Sequence, residues 1–276
     1  MSDAAVTAEG VGRRFGAIDA VRDITLAIER GEIFGLVGPD GAGKTTLMRM
    51  LAGILRPDSG RIVLEGIDVA ANPEQAKTVL GYMPQRFGLY EDLTVAENAF
   101  FYGEVFEVPR ARYRERVAQL LDAAGLAPFE HRRAGQLSGG MKQKLGLVCA
   151  LIHTPKVLLL DEPTTGVDPV SRRDFWAILY RLRDEGVTIV MSTAYMDEAQ
   201  RCTRLALLHA GEVRECATPA VLKQSLQGAL LAIAGTDPRA IRKALASAPG
   251  VQGTLLMGDR VHVHVDDGAR RAPELE

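Results

Sequence analysis

Residues Gly38–Thr46 read GPDGAGKTT, and Gly38–Thr45 fits the pattern GxxxxGK[ST]. These residue types at this spacing bind phosphate. Gly38, Gly41 and Gly43 let backbone amides turn towards an anion without side-chain obstruction, and a helix opening at Lys44 adds the positive end of its dipole. Pro39, Asp40 and Ala42 complete the loop. Lys44 is placed to reach the β- and γ-phosphates of a nucleotide, Thr45 to offer a hydroxyl to Mg²⁺, and Thr46 to add a phosphate contact. A glycine turn of purely structural use explains neither the lysine nor the threonine. A second chemical signal ends an apolar run, Val157–Pro163 (VLLLDEP). Asp161 closes a buried strand, where a carboxylate facing the phosphate loop polarises a Mg²⁺ shell. Helix capping or a surface ion pair is the structural alternative for Asp161 and Glu162.

These groups need a scaffold. Val11–Phe15, Val21–Ile28 and Ile33–Val37 read as strands, with Glu29–Glu32 as a turn. Ile33–Val37 is apolar enough to be covered on both faces and runs into the glycine loop. The helix after it is expected over Lys44–Leu55. Apolar spacing at Val95, Ala99, Phe106, Val117, Leu120 and Leu121 predicts helix over residues 95–125. Ser138 opens another helix through Ile152, and Val157–Leu160 is a buried strand. Val170–Asp184 reads as helix and Val187–Ser192 as strand. Alternating apolar strands and helices indicate a parallel α/β core. After Pro219 the texture changes. Ala229–Ala234 and Arg260–Val265 read as short strands flanking a helix near Pro238–Ala248, and Arg270–Glu276 as frayed.

Between the two phosphate signals lies Leu137–Lys144, LSGGMKQK. Ser138 alone is a good helix cap. LSGG opening a helix, between a phosphate loop and an acid-ended strand, resembles the signature of ATP-binding-cassette (ABC) ATPases. The resemblance covers roughly residues 5–220 and is strongest to the first cassette of tandem bacterial multidrug-efflux ATP-binding proteins. It implies a P-loop NTPase cassette over residues 5–224, with a mostly parallel core sheet, an antiparallel β subdomain and a helical signature subdomain near 86–155. A small α+β appendage occupies 225–276.

The resemblance also assigns roles. Glu162 is similar to the catalytic glutamate that orients or deprotonates water. Gln85, in GYMPQ, resembles the glutamine that touches Mg²⁺ or the water and reports nucleotide state to the transport partner. Phe15, in RRFG, matches the aromatic that stacks on adenine, worth roughly 1–3 kcal/mol. Ser138, Gly139 and Gly140 would contact the γ-phosphate of ATP held by a second cassette, and Asp168 would cross the same interface. ATP and Mg²⁺ are the implied cofactors. The implied partners are a second ABC cassette, in a homo- or heterodimer, and an integral membrane permease. The latter would place the chain at the cytoplasmic face of the inner (plasma) membrane. The aromatic segment after Gln85 (RFGLYEDLTVAENAFFYGEVF) would receive a helix of the permease.

Two positions depart from the family pattern. In Ser192–Ala199 (STAYMDEA) the usual histidine is replaced by Ala194, which can neither bond a γ-phosphate nor hold water. Asp40 stands where asparagine is usual, and a like charge beside a polyphosphate costs about 1–4 kcal/mol in a moderately screened site. The expectation is a site that binds ATP and hydrolyses it slowly.

Composition bounds the rest. The chain has 276 residues, 47% hydrophobic and 25% charged, with net charge −2. No basic field argues for nucleic acid. No apolar run approaches the roughly 20 residues that span a bilayer, and no leader is evident in MSDAAVTAEG. Cys149, Cys202 and Cys216 show no metal spacing and read as buried or neutral thiols. Two competing readings remain: a regulatory nucleotide-binding module without appreciable turnover, and a soluble cassette protein acting on ribosomes or DNA.

Overall fold

Three apolar runs dictate the centre of the molecule. Ile33–Val37, Val157–Asp161 and Thr188–Thr193 are buried at every position, as strands covered on both faces must be. In the computed structural model, which describes residues 4–86, 88–225 and 228–275, they belong to a six-stranded sheet. Its order is 212–217, 204–209, 33–37, 188–193, 157–161 and 80–83. Glu212–Ala217 pairs antiparallel with Arg204–His209, and the other neighbours are parallel.

Parallel strands bring their C-terminal ends to one edge. Val37 lies opposite Thr193, and Asp161 opposite Ser192. Every group expected to do chemistry on these strands therefore reaches the same rim, where open α/β sheets bind ligands. Alternate residues serve two cores. Leu158, Leu160, Ile189 and Met191 face the helices. Val157, Leu159 and Val190 pack with Leu47 and Met48 of the helix Lys44–Leu51 and with a second sheet.

That second sheet is antiparallel, in the order Ile18–Glu29, Ala4–Phe15, Ser59–Leu64 and Ile67–Asp68. Its first two strands are longer than the alternation predicts, because register shifts between Ala4 and Arg14 interrupt the period. The expected helix over 95–125 is two helices, Val95–Val105 and Arg110–Ala123. Glu107 takes a left-handed φ of 53° and Pro109 caps the second helix. Proline has no amide to continue the first helix. Cys149 and Cys202 are buried, and Cys216 is an exposed free thiol.

The chain divides into two compact units, Met1–Pro219 and Ala220–Glu276. The second holds a three-stranded antiparallel sheet ordered 229–234, 260–265, 251–257, with the helix Pro238–Leu245 capped by Asp237. Val261, Val263 and Val265 form its core. The strand Val251–Met257 was not expected, since Gly253 and a register shift break its alternation. Nor are residues 270–275 frayed. Arg271 is 8% exposed and donates to Asp266 and Glu274. Among the described residues no helix is long and apolar enough to cross a membrane.

His153 shows how this packing is tuned to pH. Its ring stacks on Phe106 at 3.9 Å and its Nε2 bonds the Leu80 carbonyl at 2.9 Å, while Nδ1 is buried without a partner. Burial holds its pKa below the ordinary 6.5, against the opposing pull of the Leu80 carbonyl. On acidification the unfolded chain therefore takes the proton first, and stability present above pH 6.5 declines towards the lower folded value. His153→Phe should flatten the dependence of denaturant midpoint on pH below 6.5. An unchanged slope in that variant would assign the titration to another group.

Candidate active site

The phosphate loop leaves its strand at Gly38 and enters a helix at Lys44. Gly43 caps that helix with φ 100°, and a Cβ there would lie 2.4 Å from the Ala20 carbonyl oxygen. Both conformation and space exclude a side chain. Lys44 is 4% exposed. Its Nζ donates to the Gly38 and Pro39 carbonyls at 2.8 and 3.1 Å and lies 3.2 Å from Glu162 Oε1. A buried ammonium is thus held on backbone carbonyls and one carboxylate, where a polyphosphate can compete for it.

Thr45 Oγ1 donates to Asp161 Oδ1 at 3.1 Å, and Ser192 Oγ donates to the same oxygen at 2.6 Å. Asp161 is 1% exposed, and its Oδ2 is buried with no partner. An orphaned anionic oxygen in a dry site is costly unless a cation or donor answers it. With the Thr45 hydroxyl beside it and the Gln85 amide in the same cleft, the donor set is all oxygen and suits Mg²⁺.

Glu162 follows with a backbone φ of 47°. Left-handed backbone at a residue with a side chain stores about 1–3 kcal/mol and persists where the surroundings fix it. Here the Glu162 amide donates to Ser192 Oγ at 2.9 Å and to the Ser192 carbonyl at 3.2 Å. Gln85 Nε2 donates to Glu162 Oε2 at 3.1 Å, and Thr165 Oγ1 to the same oxygen at 3.4 Å. The carboxylate expected to handle water is therefore gripped from three elements. Gln85, Glu162 and Thr165 line a cleft of about 1020 Å³ with Asp40–Thr46, Ala17–Ala20, Ala194 and Tyr195. Asp40 is exposed on its rim, where solvent screens its charge.

Phe15, expected to stack on adenine, lies apart from this cleft. The wall near the first hairpin is made by Ala17, Ile18, Asp19 and Ala20, and Phe15 is not part of it. Its ring is 46% exposed, with the Arg13 guanidinium 5.0 Å from its centroid. Ser138 caps the helix Gly139–Leu151, accepting from the Met141 amide at 3.3 Å. Ser138 and Gly139 are exposed, while Gly140 is buried. A Cβ on Gly140 would come 2.4 Å from Ser171, so this glycine lets the signature helix touch the helix Pro169–Asp184. Asp168 caps that helix, accepting from the amides of Val170 and Ser171 at 3.0 and 2.9 Å.

Sequence reasoning passed over Ser192, Thr165 and Tyr82. Ser192 became visible once strand register paired it with Asp161. The Tyr82 phenol is pushed up to about 12, chiefly by burial and then by the Asp161 charge. Tyr195 lines the cleft beside Ala194.

Residues 21–165 match the family described as ABC transporter. Over 230 residues the chain is 50% identical to the probable multidrug ABC transporter ATP-binding protein YbhF of Escherichia coli K12. That match covers 83% of this chain and 40% of the relative, so the chain spans well under half of that protein's length. Over 269 residues it is 39% identical to Nod factor export ATP-binding protein I of Paraburkholderia xenovorans, covering 97% of this chain and 88% of the relative. CbiO1 of Clostridium perfringens, described as part of the ABC transporter complex cbiONQ, superposes with a TM-score of 0.74 at 25% identity, covering 90% and 97% of the two chains. The cassette MJ0796 in a dimeric post-hydrolysis state with ADP and Pi gives 0.70 at 26% identity, covering 77% and 98%. Phosphate loop, acid pair and signature thus stand on the fold these proteins share, and the chain belongs to the ABC transporter family as an ATP-binding cassette, an ATPase of P-loop fold.

Proposed function

We propose that this cassette energises an exporter: ATP joins it face to face with a second cassette, and hydrolysis releases the pair to drive a membrane permease. The observation that carries the reading is the convergence of Lys44 and Gln85 on Glu162 and of Thr45 on Asp161, the two groups joined through Ser192 beside one cleft. Outward transport is supported by relatives named for multidrug transport and Nod factor export.

The chemistry follows from the resting contacts. Phosphates entering the loop compete for Lys44 with the Gly38 and Pro39 carbonyls and with Glu162. As the ammonium moves to the phosphates, the Glu162 carboxylate is freed to accept a proton from water. Gln85 and Thr165 still orient it from one oxygen. Mg²⁺, bound by Thr45 and Gln85 near Asp161, would supply positive charge against the phosphates. Ser138, Gly139 and the first amides of their helix would close over ATP in the second cassette. Phe15 would move onto the adenine at the mouth of the cleft.

Tyr90, Phe100, Phe101 and Val105 are exposed on the helical region, and the Tyr90 and Phe101 rings meet edge to face at 4.6 Å. They offer the permease an aromatic docking surface that holds the chain at the cytoplasmic side of the membrane. Phe87, expected in this surface, lies outside the described residues.

Ala194 lines the cleft with a methyl group and supplies no hydrogen bond. The chain's own turnover is therefore slow, while its signature remains competent for its partner's ATP. The same methyl favours a second reading, a regulatory cassette that binds ATP without turnover. Two measurements on the purified chain test these points. Glu162→Gln should keep ATP binding and lose about 10²–10⁴ in hydrolysis rate, the usual contribution of a general base. Unchanged turnover would remove Glu162 from the mechanism. Ala194→His should raise phosphate release at saturating ATP. Equal, fast turnover with alanine and histidine would show that the missing imidazole does not limit the rate.

A further inference from the structure

Glu198 is a carboxylate to which the reaction above gives no task. It is 1% exposed, on the short helix Met196–Ala199 just beyond Ala194 and Tyr195. Its oxygens are shared between two segments. Thr164 Oγ1 donates to Oε1, and Thr193 Oγ1 donates to Oε2 at 2.6 Å. Arg172 Nε lies 3.8 Å from Oε1 and has no hydrogen bond of its own, so its tie to Glu198 is one of charge.

Each partner leads to a different part of the motor. Thr193 closes its strand, and its carbonyl accepts from the amide of Gly38, the first residue of the phosphate loop, at 3.4 Å. Its hydroxyl also accepts from the Tyr195 amide at 3.0 Å. Thr164 lies two residues beyond Glu162, and its carbonyl accepts from Val167 in the turn that leads to Asp168. Arg172 follows Ser171, the residue against which Gly140 of the signature packs. Its guanidinium covers the Tyr195 ring at 4.7 Å and reaches Asp197 at 3.4 Å. One carboxylate thus meets the rim of the phosphate loop, the turn after the catalytic acid and the helix that braces the signature.

Stability does not explain a charge here. Burying a carboxylate is costly, and apolar side chains of similar volume commonly fill such sites as well or better. What the carboxylate adds is direction: two short bonds to opposing segments, and an attraction to the third.

We propose that Glu198 is a positioning residue that ties this chain's phosphate loop to its own signature helix, so that ATP in one cleft sets the alignment of the signature offered to the second cassette. The proposal rests on the ATP-binding reading of the cleft. It predicts coupling within a single chain, before any partner arrives.

Hydrogen–deuterium exchange on the full chain, dilute enough to stay monomeric, tests it with ATP and Mg²⁺. In the unmodified protein ATP should slow exchange at residues 38–46 and also at 138–142 and 164–172. Glu198→Gln keeps the volume and removes the charge, and Arg172→Met removes the counter-charge from a partly exposed site. Both variants should keep protection at 38–46 and lose about tenfold at 138–142 and 164–172, within the 5–150-fold typical of coupled sites. A merely structural role would lower protection across the chain with no selective loss. That result, or equal protection of the signature in all three proteins, overturns the proposal. No protection at 38–46 in the unmodified chain would instead overturn the ATP reading on which it rests.

Discussion

Asp161 has one oxygen held by two hydroxyls and the other held by nothing, in a site almost closed to water. Much of the architecture serves to keep it so. The parallel register sets Ser192 opposite Asp161 and Thr193 opposite Val37, so hydroxyls and the phosphate loop arrive at the same rim. Thr45 can reach the carboxylate because the helix starts immediately after Gly43, whose backbone no other residue adopts without strain. Sheet order, loop conformation and side-chain chemistry are thereby one constraint, which a single register slip would undo.

The same economy governs Glu162. Its left-handed backbone is fixed by two hydrogen bonds to Ser192, the residue that also holds Asp161. One serine therefore aligns both acids. The Lys44 contact holds the carboxylate proposed to be catalytic close to the ammonium that would serve phosphate. Occupancy of the loop and release of the acid would consequently be linked by electrostatics, without requiring any large movement of the sheet.

Much of this was legible in the amino-acid sequence because its signals are local. GxxxxGK[ST] after an apolar strand, an acid pair closing another strand, and a serine opening a helix each fit within ten residues. What was hidden depends on distance or on broken periods. Ser192 is unremarkable in STAYMDEA until register sets it against Asp161. The split of the 95–125 helix turns on Glu107 and Pro109, which an apolar count overlooks. Val251–Met257 escaped because Gly253 and a bulge erase the alternation that announces a strand. Gly140 has two explanations. A phosphate contact explains it from the motif, yet the close approach of Ser171 already requires a glycine there.

In the proposed paired motor Ala194 and the signature bear on different nucleotides, and this separation decides what the missing imidazole would cost. On the proposed reading, a methyl in the cleft would weaken only reactions of ATP bound to this chain. Ser138 and Gly139 are exposed at the start of their helix, so their amides and hydroxyl are available to a second molecule. If the second cassette carries a complete site, closing the pair still places a full set of donors around one ATP. Hydrolysis there would then be enough to separate the dimer. The ATP held here then contributes binding free energy to closure, with its hydrolysis optional. A site that binds well and reacts slowly is therefore no defect in a paired motor. It would keep one half of the interface closed while the other half turns over, provided the state of the cleft is communicated to the signature, and the buried carboxylate of Glu198 is placed to do so.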